Sequence, residues 1–297
     1  MNKITHLPKL PGENINFIVT SELILPLRED LMSNLNINVH NMGHFVEQNR
    51  MDFMLVAGDL VHETDWIDEK WYMKIEEVYA APSLNAFPWY IVFGNHEYYG
   101  GVQKVFDYIN INKRWKAQSE RYYAFTQKLN TDNECLFVII DTTPFVDFFC
   151  NEKYTDAGKQ DKKAQLEWIE NTLSVSSARW KIVVGHHHVY AKTRKRQSEM
   201  INMQENIGVL LEKYNVDAYI CGHVRSFQHL KPTGSKVHYI VNAPMPYAFI
   251  PRENDVEGVL FTCPNPGFSV FTMSNDSLRF FFVNHRNEMI YDQTIRK

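Results

Sequence analysis

The chain has few cysteines, and none of them are closely spaced. Cys135, Cys150, Cys221 and Cys263 are the four cysteines among 297 residues, and no CxxC motif is present. A thiolate zinc motif and a dithiol redox motif are therefore excluded. Cys135 and Cys221 fall in apolar, strand-like runs, so we expect them to be buried as small apolar side chains.

Long apolar runs and an excess of one charge are also missing. No run approaches the roughly 18 residues that a membrane helix needs. The first residues, MNKITHLPKLPGENINF, lack the apolar core of a signal peptide. The formal net charge is -4, which argues against general binding to nucleic acid or anionic membranes. We expect neither as a partner, and the sequence leaves the oligomeric state open.

The chain is rich in core-forming residues. It is 44% hydrophobic and 13% aromatic, enough for a large buried core. No internal repeat, low-complexity segment or linker interrupts it. We therefore expect an N-terminal extension over residues 1–14, followed by a single domain over residues 15–297.

Short apolar runs alternate with segments of helical periodicity over most of the chain. Continuous apolar runs are typical of strands covered on both faces, and they predict strands at residues 17–19, 53–56, 89–93, 136–140, 181–184 and 218–220. Apolar spacings of three and four predict helices at residues 31–48, 66–79, 163–173 and 200–214. Beyond Pro232, strands follow one another across short turns. The pattern indicates an α/β fold with two sheets packed together.

Polar residues directly follow five of the predicted strands. The segments are Thr20-Ser21-Glu22, Gly58-Asp59-Leu60-Val61-His62, Gly94-Asn95-His96-Glu97, Gly185-His186-His187-His188 and Gly222-His223-Val224-Arg225. Ligands of open α/β sheets bind at this edge, and a preceding glycine lets the backbone turn sharply there. Carboxylate, amide and imidazole donors suit zinc, manganese or iron(II). One such segment is usually an ordinary turn, but five together predict a shared metal site.

The ordered set GD…GNHE…GHH…GH resembles the calcineurin-like metallophosphoesterases, and more closely the purple (tartrate-resistant type) acid phosphatases. PWYIVFGNHEYYG, IIDTTP and DAYICGH carry the same resemblance. It implies a four-layer α-β-β-α sandwich with two mixed sheets, and two divalent ions (zinc, manganese or iron) bridged by one aspartate. It also implies that metal-activated water hydrolyses phosphate monoesters, either small molecules or phosphoproteins. A periplasmic or secreted location fits the resemblance if an export signal has been removed.

The resemblance supplies a complete set of ligands for the second metal. Asp59 matches the bridging aspartate, and Asn95, His186 and His223 match the remaining ligands. His96 matches the histidine that contacts the phosphate and helps to protonate the leaving alcohol. Glu97 is expected to orient a ligand or to cap the following helix. His187 is a candidate for substrate contact, with an ordinary loop histidine as the alternative.

The first-metal positions depart from the family pattern. Glu22 occupies the position of the family's aspartate, and its side chain is one methylene longer. His62 occupies the position of the family's tyrosine. Arg225 stands for a histidine and cannot bind a metal, because its guanidinium stays protonated and has only donors. Arg225 could instead turn toward substrate phosphate. The number of bound ions, one or two, therefore remains open.

Three functions follow as alternatives. The first is a metal-dependent phosphatase, and the second is a pseudophosphatase that keeps the fold as a scaffold with at most one metal. A nuclease or phosphodiesterase is disfavoured by the acidic composition. The basic run at residues 192–196 is either a solvated surface or a region that draws a phosphate inward.

Overall fold

The computed structural model describes residues 7–24, 29–62, 70–117, 120–154, 156–251 and 256–297. The strands are β1 (Ile15–Thr20), β2 (Phe53–Val56), β3 (Trp89–Ile91), β4 (Trp115–Lys116), β5 (Tyr123–Lys128), β6 (Glu134–Ile139), β7 (Trp180–Val184), β8 (Ala218–Cys221), β9 (Phe227–Leu230), β10 (His238–Val241), β11 (Val259–Cys263), β12 (Gly267–Met273), β13 (Ser277–Asn284) and β14 (Met289–Arg296).

The helices lie between the strands of the first two thirds of the chain. They are α1 (Glu29–Gln48), α2 (Trp71–Val78), α3 (Asn95–Gly100), α4 (Val102–Ile111), α5 (Lys162–Ser174), α6 (Gln197–Met203) and α7 (Val209–Lys213). A π-helical turn, Gln204–Gly208, joins α6 to α7. Within the described ranges, no helix has the length and apolarity needed to cross a membrane.

The strands form two sheets of seven, in the orders β14-β13-β12-β1-β2-β3-β4 and β11-β9-β10-β8-β7-β6-β5. In the first sheet, β1 to β4 are parallel and β12 joins β1 antiparallel. In the second, β6, β7, β8 and β10 are parallel, and antiparallel strands lie toward both edges. The predicted α/β fold with two mixed sheets is confirmed. The C-terminal strands do not form a sheet of their own. Strands β12 to β14 extend the first sheet, and β9 to β11 extend the second.

The predicted elements with strong periodicity are present. The helices predicted at 31–48, 163–173 and 200–214 correspond to α1, α5 and the α6–α7 segment. The helix predicted at 66–79 is observed from Trp71, and its first residues lie outside the described part of the chain. Strands β4, β5, β9 and β11 are missing from the prediction. Strand β4 has only two residues, polar residues interrupt β9, and exposed or half-buried residues interrupt β5 and β11, so none of them is a long continuous apolar run.

Aromatic rings pack against one another within the first sheet and across to the second. Phe17 of β1 stacks on Phe53 and on Phe271 with ring centroids 4.8 Å apart in each pair. Phe137 of the second sheet meets Phe17 edge-on at 5.4 Å. Phe17 is fully buried, so its ring touches partners along its own sheet and across the sandwich. Offset and edge-on arrangements of this kind add stability beyond the area that they bury.

A directional hydrogen-bond relay also links the sheets. Lys231 can only donate, and its Nζ lies 3.2 Å from His238 Nε2. The hydrogen of neutral His238 is therefore on Nδ1, which donates to His229 Nε2 at 2.8 Å. His229 Nδ1 then donates to the hydroxyl of Tyr291 on β14, also at 2.8 Å. The relay requires both imidazoles to be neutral. A second hydrogen on either ring would sit on the nitrogen that accepts, where it would face the hydrogen that its partner donates.

Replacing Phe17 with alanine should lower the free energy of unfolding by about 3–5 kcal/mol, the usual cost of emptying a buried phenylalanine site. Urea unfolding followed by far-UV circular dichroism measures the change. Phe148→Ala is the matched control because Phe148 is 38% exposed, and it should cost no more than about 0.5 kcal/mol. Equal losses in the two variants would contradict the assignment of Phe17 to the core.

Acid should weaken the sandwich through the relay. Burial lowers the pKa of His229 to about 3 and that of His238 to about 4, so the unfolded chain takes up protons first as the pH falls below about 6.5. The stabilisation is complete above that pH. It declines below it by at most about 1.4 kcal/mol per pH unit for each histidine.

The comparison variant is the double substitution His229→Gln with His238→Gln. Its unfolding free energy should fall less steeply than that of the wild type between about pH 6.5 and pH 4. His44→Gln controls for an exposed histidine, since the His44 side chain is 58% exposed. Parallel curves for the wild type and the double variant would show that the relay does not set the acid sensitivity.

Candidate metal centre

Loops from both sheets meet at the carboxyl ends of β1, β2, β7 and β8. The amide of Glu22, beyond β1, donates to the carbonyl of Gly58 at 3.0 Å. The amide of Gly222, beyond β8, donates to the carbonyl of His186, which follows β7, at 3.1 Å. Because parallel strands share their carboxyl edge, segments far apart in sequence become neighbours there. The side chains of Glu22, Asp59, Asn95, His186 and His223 are all buried at this edge.

Two glycines let the loops approach closely. A Cβ at Gly94 would lie 2.3 Å from Asp59 Oδ1, and one at Gly58 would lie 2.4 Å from His186 Nδ1. Gly58 also has a φ of +89°, which favours glycine. The two glycines therefore create the space that Asp59 and His186 occupy.

Glu97 fastens the Asp59 loop to the start of α3. Its carboxylate accepts the amides of Asp59 at 2.9 Å, Leu60 at 2.7 Å and Gly94 at 2.6 Å. Burial and the neighbouring Asp59 charge raise the pKa of Glu97 to about 7, and the amide donors act in the opposite direction. Glu97 thus supports a candidate ligand and also caps the following helix.

The hydrogen positions of His186 and His223 follow from their outer partners. His186 Nδ1 lies 2.7 Å from the carbonyl of Ala57, which can only accept, so the ring hydrogen is on Nδ1. His223 Nε2 lies 2.8 Å from the carboxylate Oε2 of Glu199, which places the His223 hydrogen on Nε2. In the neutral form of each ring the remaining nitrogen, Nε2 of His186 or Nδ1 of His223, carries no hydrogen, and these two nitrogens face each other at 3.1 Å.

Asp59 adds a third acceptor to this group. Its Oδ2 lies 3.1 Å from His186 Nε2, while its Oδ1 accepts the amide of His96 at 3.0 Å. Burial alone would raise the pKa of Asp59, but the charges of His186 and His96 lower it. Burial alone would lower the pKa of His186. The attraction of the Asp59 carboxylate is stronger than this effect and raises the pKa of His186 to about 9. The centre attracts positive charge, either a proton or a metal ion.

Asn95 contributes a further acceptor. Its side chain is buried, and its Oδ1 has no hydrogen-bond partner. A buried carbonyl oxygen without a partner costs free energy unless a cation or donor satisfies it. A carboxylate oxygen, two imidazole nitrogens and an amide oxygen are ligand atoms that suit zinc, manganese or iron(II). The second-metal residues therefore fit a divalent ion.

His96 and His62 border the centre. His96 Nε2 lies 3.7 Å from Asp59 Oδ2, and the two imidazole rings are 4.8 Å apart. Burial lowers the pKa of His96 to about 4, with Asp59 acting in the opposite direction. His96 Nδ1 is buried without a hydrogen-bond partner. His96 therefore lies beside the Asp59 carboxylate as a neutral imidazole at neutral pH.

His187 lies near the same nitrogens but has a different role. His186, His187 and His223 can each place a ligand atom within 4.8 Å of the others. The hydroxyl of Thr142 accepts the amides of His186 and His187 at 3.2 and 3.0 Å, so its own hydrogen goes to His187 Nδ1 at 2.8 Å. The hydrogen of neutral His187 is therefore on Nε2, which is buried without a partner. In this tautomer His187 Nε2 offers a hydrogen to a neighbouring group and has no lone pair for a metal ion.

The first-metal residues do not fit a second ion. Glu22 is fully buried, and its Oε2 accepts the hydroxyl of Ser21 at 2.5 Å. Its other oxygen, Oε1, lies 3.8 Å from Nε of Arg225. Burial raises the pKa of Glu22, and Arg225 opposes this effect. The Glu22 carboxylate thus faces a permanent organic cation, which offers a metal no lone pair.

Backbone strain is concentrated at the centre. Glu22, Asp59, His223 and Arg225 have φ values of 43°, 59°, 65° and 63°. Side chains other than glycine, asparagine and aspartate rarely adopt this left-handed region. Strained residues persist where their surroundings hold them in place, and they cluster at functional sites.

Glu199 is a site residue that the sequence analysis missed. It is buried on α6 and hydrogen-bonds His223. No motif marks it, because it follows the GHH segment by more than ten residues in a polar stretch. The basic run is divided between two environments. Lys195 is half-buried and close enough to Asp59 for their charges to attract each other. Arg194 and Arg196 are exposed.

Comparisons with known proteins identify the family of this chain. The profile of the family described as "Calcineurin-like phosphoesterase" matches residues 28–226. Purple acid phosphatase 4 of Arabidopsis thaliana is 29% identical over 250 residues, or 80% of this chain and 70% of that protein. Human tartrate-resistant acid phosphatase type 5 is 27% identical over 201 residues, or 65% of this chain and 61% of that protein.

Among solved structures, GAP50, described as the anchor in the inner membrane complex of Plasmodium, superposes with a TM-score of 0.77 at 18% identity. The alignment covers 95% of this chain and 89% of that one, and at this identity it shows a shared fold alone. The family profile covers more than half of the chain, and the curated relatives are acid phosphatases. The chain therefore belongs to the calcineurin-like phosphoesterases, a family of metal-dependent hydrolases, with purple acid phosphatases as its relatives.

Proposed function

We propose that the protein is a metal-dependent phosphatase that hydrolyses phosphate monoesters. The observation that carries this proposal is that His186 Nε2 lies 3.1 Å from both Asp59 Oδ2 and His223 Nδ1, so an oxygen and two nitrogens are brought together in a buried place. A divalent ion bound there would lower the pKa of a water molecule and polarise a phosphoryl oxygen. The chain's similarity to purple acid phosphatases supports the same activity.

The surrounding residues bind the phosphoryl group and supply protons. His187 Nε2 is a buried N–H donor without a partner, suited to a phosphoryl oxygen. His96 Nε2, 3.7 Å from Asp59 Oδ2, is placed to deliver a proton to the departing alcohol oxygen. Glu97 and Glu199 hold the Asp59 loop and His223 in place from outside. The substrate we propose is a small phosphomonoester or a phosphoprotein, with neither nucleic acid nor membrane as a partner.

A pseudophosphatase is the second candidate, and the Arg225–Glu22 ion pair favours it. Family chemistry that activates water between two ions would lose much of its driving force if Arg225 excludes one of them. The structural similarity to GAP50, whose description names an anchor, leaves a scaffold role open to test. Turnover separates the two candidates, because a scaffold would bind metal or phosphate without hydrolysing the ester.

Asp59→Asn should abolish hydrolysis of p-nitrophenyl phosphate. Removing the carboxylate should lower kcat/KM by more than about 100-fold, since outer-shell partners alone are commonly worth about 10- to 100-fold. The assay follows p-nitrophenolate release with zinc, manganese or iron(II) at acidic to neutral pH. Asp147→Asn, at an exposed aspartate, should leave the rate unchanged. A wild type with no turnover above a metal-free blank under any condition would refute the phosphatase proposal.

Glu199→Gln should weaken metal binding without unfolding the protein. Glutamine keeps the size of the side chain but loses the charge that fixes the hydrogen of His223 on Nε2, so the metal Kd should rise by about 10- to 100-fold. Competition with a fluorescent chelator measures that constant. Glu205→Gln, at an exposed glutamate near the same helix, should have no effect. An unchanged Kd in Glu199→Gln would show that this carboxylate does not position His223.

A further inference from the structure

The guanidinium of Arg225 is held in one place at the edge of the candidate metal centre. Its Nη1 donates to the hydroxyl of Tyr247 at 3.2 Å. Its central carbon lies 5.7 Å from the Tyr247 ring centroid and 5.4 Å from that of Phe249. The residue is only 9% exposed. Aromatic faces and a hydroxyl partner restrict this side chain, so its charge has a defined position.

Arg225 directs an unused donor into the same region. Its Nε is buried and has no hydrogen-bond partner, and neither has Oε1 of Glu22. The two atoms are 3.8 Å apart, which is an ion-pair distance too long for a hydrogen bond. A buried charged donor without a partner is costly. This unused donor indicates that a ligand with acceptor oxygens belongs beside Arg225.

A second metal ion would be unfavourable at this point. Arg225 replaces a possible ligand with a group that has only donors, and its fixed positive charge repels a divalent cation placed at Glu22. The Glu22 carboxylate already has the hydroxyl of Ser21 on one oxygen and the guanidinium near the other. The charge that the family's first metal would supply is therefore already present as an organic cation.

We propose that Arg225 takes the place of the first metal ion, so that the protein binds one divalent ion and uses the guanidinium to hold the phosphoryl group. A planar guanidinium matches phosphoryl oxygens with two parallel hydrogen bonds. The substrate identity rests on the proposed function, whereas the metal count does not. The anion that this site takes is a phosphate or a phosphoryl group.

The surroundings of Arg225 suit the entry of such an anion. Half-buried Lys195 is close enough to Arg225 for their charges to interact, and it adds a second cation. A cleft of about 260 Å³ adjoins this region, lined by Thr193, Arg194, Lys195, Val224, Phe249, Ile250 and Pro251. Cations line one part of this cleft and apolar side chains another. A phosphomonoester could place its phosphoryl group at the cations and its organic group in the cleft.

Metal stoichiometry is the first test. Native mass spectrometry of the folded protein titrated with manganese(II) should show one ion per wild-type chain. Arg225→His should raise this to two, because the imidazole supplies a ligand and removes the fixed charge. Arg279→His, on the exposed face of β13, controls for added histidine and should keep one ion. Two ions in the wild type, or one ion in Arg225→His, would overturn the proposal.

Phosphate affinity is the second test, measured by isothermal titration of the manganese-loaded protein with inorganic phosphate. Arg225→Gln should weaken binding by about 10- to 100-fold, as expected for loss of charge-assisted hydrogen bonds. Arg225→Lys keeps the charge but loses the planar fork, so it should fall between Arg225→Gln and the wild type. It also serves as the readout if Arg225→Gln does not fold. Arg279→Gln should match the wild type, and wild-type affinity in every folded Arg225 variant would overturn the proposal.

These tests are independent of the phosphatase assay. A chain that binds one ion and needs Arg225 for phosphate, yet does not turn over p-nitrophenyl phosphate, would support the role of Arg225 and refute the proposed function. A chain that turns over the ester with two bound ions would support the proposed function and refute the role of Arg225.

Discussion

The main constraint on this molecule is a buried group of carboxylate and imidazole acceptors that requires a positive charge, either a proton or a metal ion. His186 Nε2 lies 3.1 Å from Asp59 Oδ2 and 3.1 Å from His223 Nδ1. The outer bonds of the two histidines, to the carbonyl of Ala57 and the carboxylate of Glu199, each use one ring hydrogen, so any hydrogen between the inner nitrogens adds a positive charge to a ring. Such an arrangement is stable only around a positive charge.

Much of the surrounding structure serves to hold this arrangement. Gly58 and Gly94 leave the space for it, and Glu97 binds the Asp59 loop through three amides. Asp59 and His223 keep a left-handed backbone conformation, which a flexible loop would abandon. The stacked phenylalanines and the sheet-to-sheet relay keep the two sheets in register, and each sheet contributes strands whose ends carry the site. Stability of the sandwich and geometry of the centre are therefore linked.

The chain differs from its family pattern on one side of the centre only. The residues around His186 keep a donor set that suits a divalent ion, whereas Arg225 places a fixed cation near Glu22. A guanidinium and a metal ion both attract phosphoryl oxygens, but only the metal can activate a water molecule. Under the proposed role of Arg225, the substitution would keep one task of the first ion, the binding of the anion, and lose the other, the activation of the nucleophile.

The sequence by itself determined the α/β class, the strand-end motifs and the residue types at the centre, because continuous apolar runs and Gly-Asp or Gly-His steps are local patterns. It predicted that Asp59, His186 and His223 follow strands at one edge of a sheet, but the structure places Asp59 after β2 of the first sheet and the two histidines after β7 and β8 of the second, so the carboxyl edges of two sheets meet at the centre. Tertiary structure alone decided which partner each histidine nitrogen faces, that Glu199 hydrogen-bonds His223, that Thr142 lies beside His187 Nδ1, and that Arg225 faces Glu22. Those features depend on partners that are distant along the chain and on strained backbone conformations, and neither leaves a local pattern in the sequence.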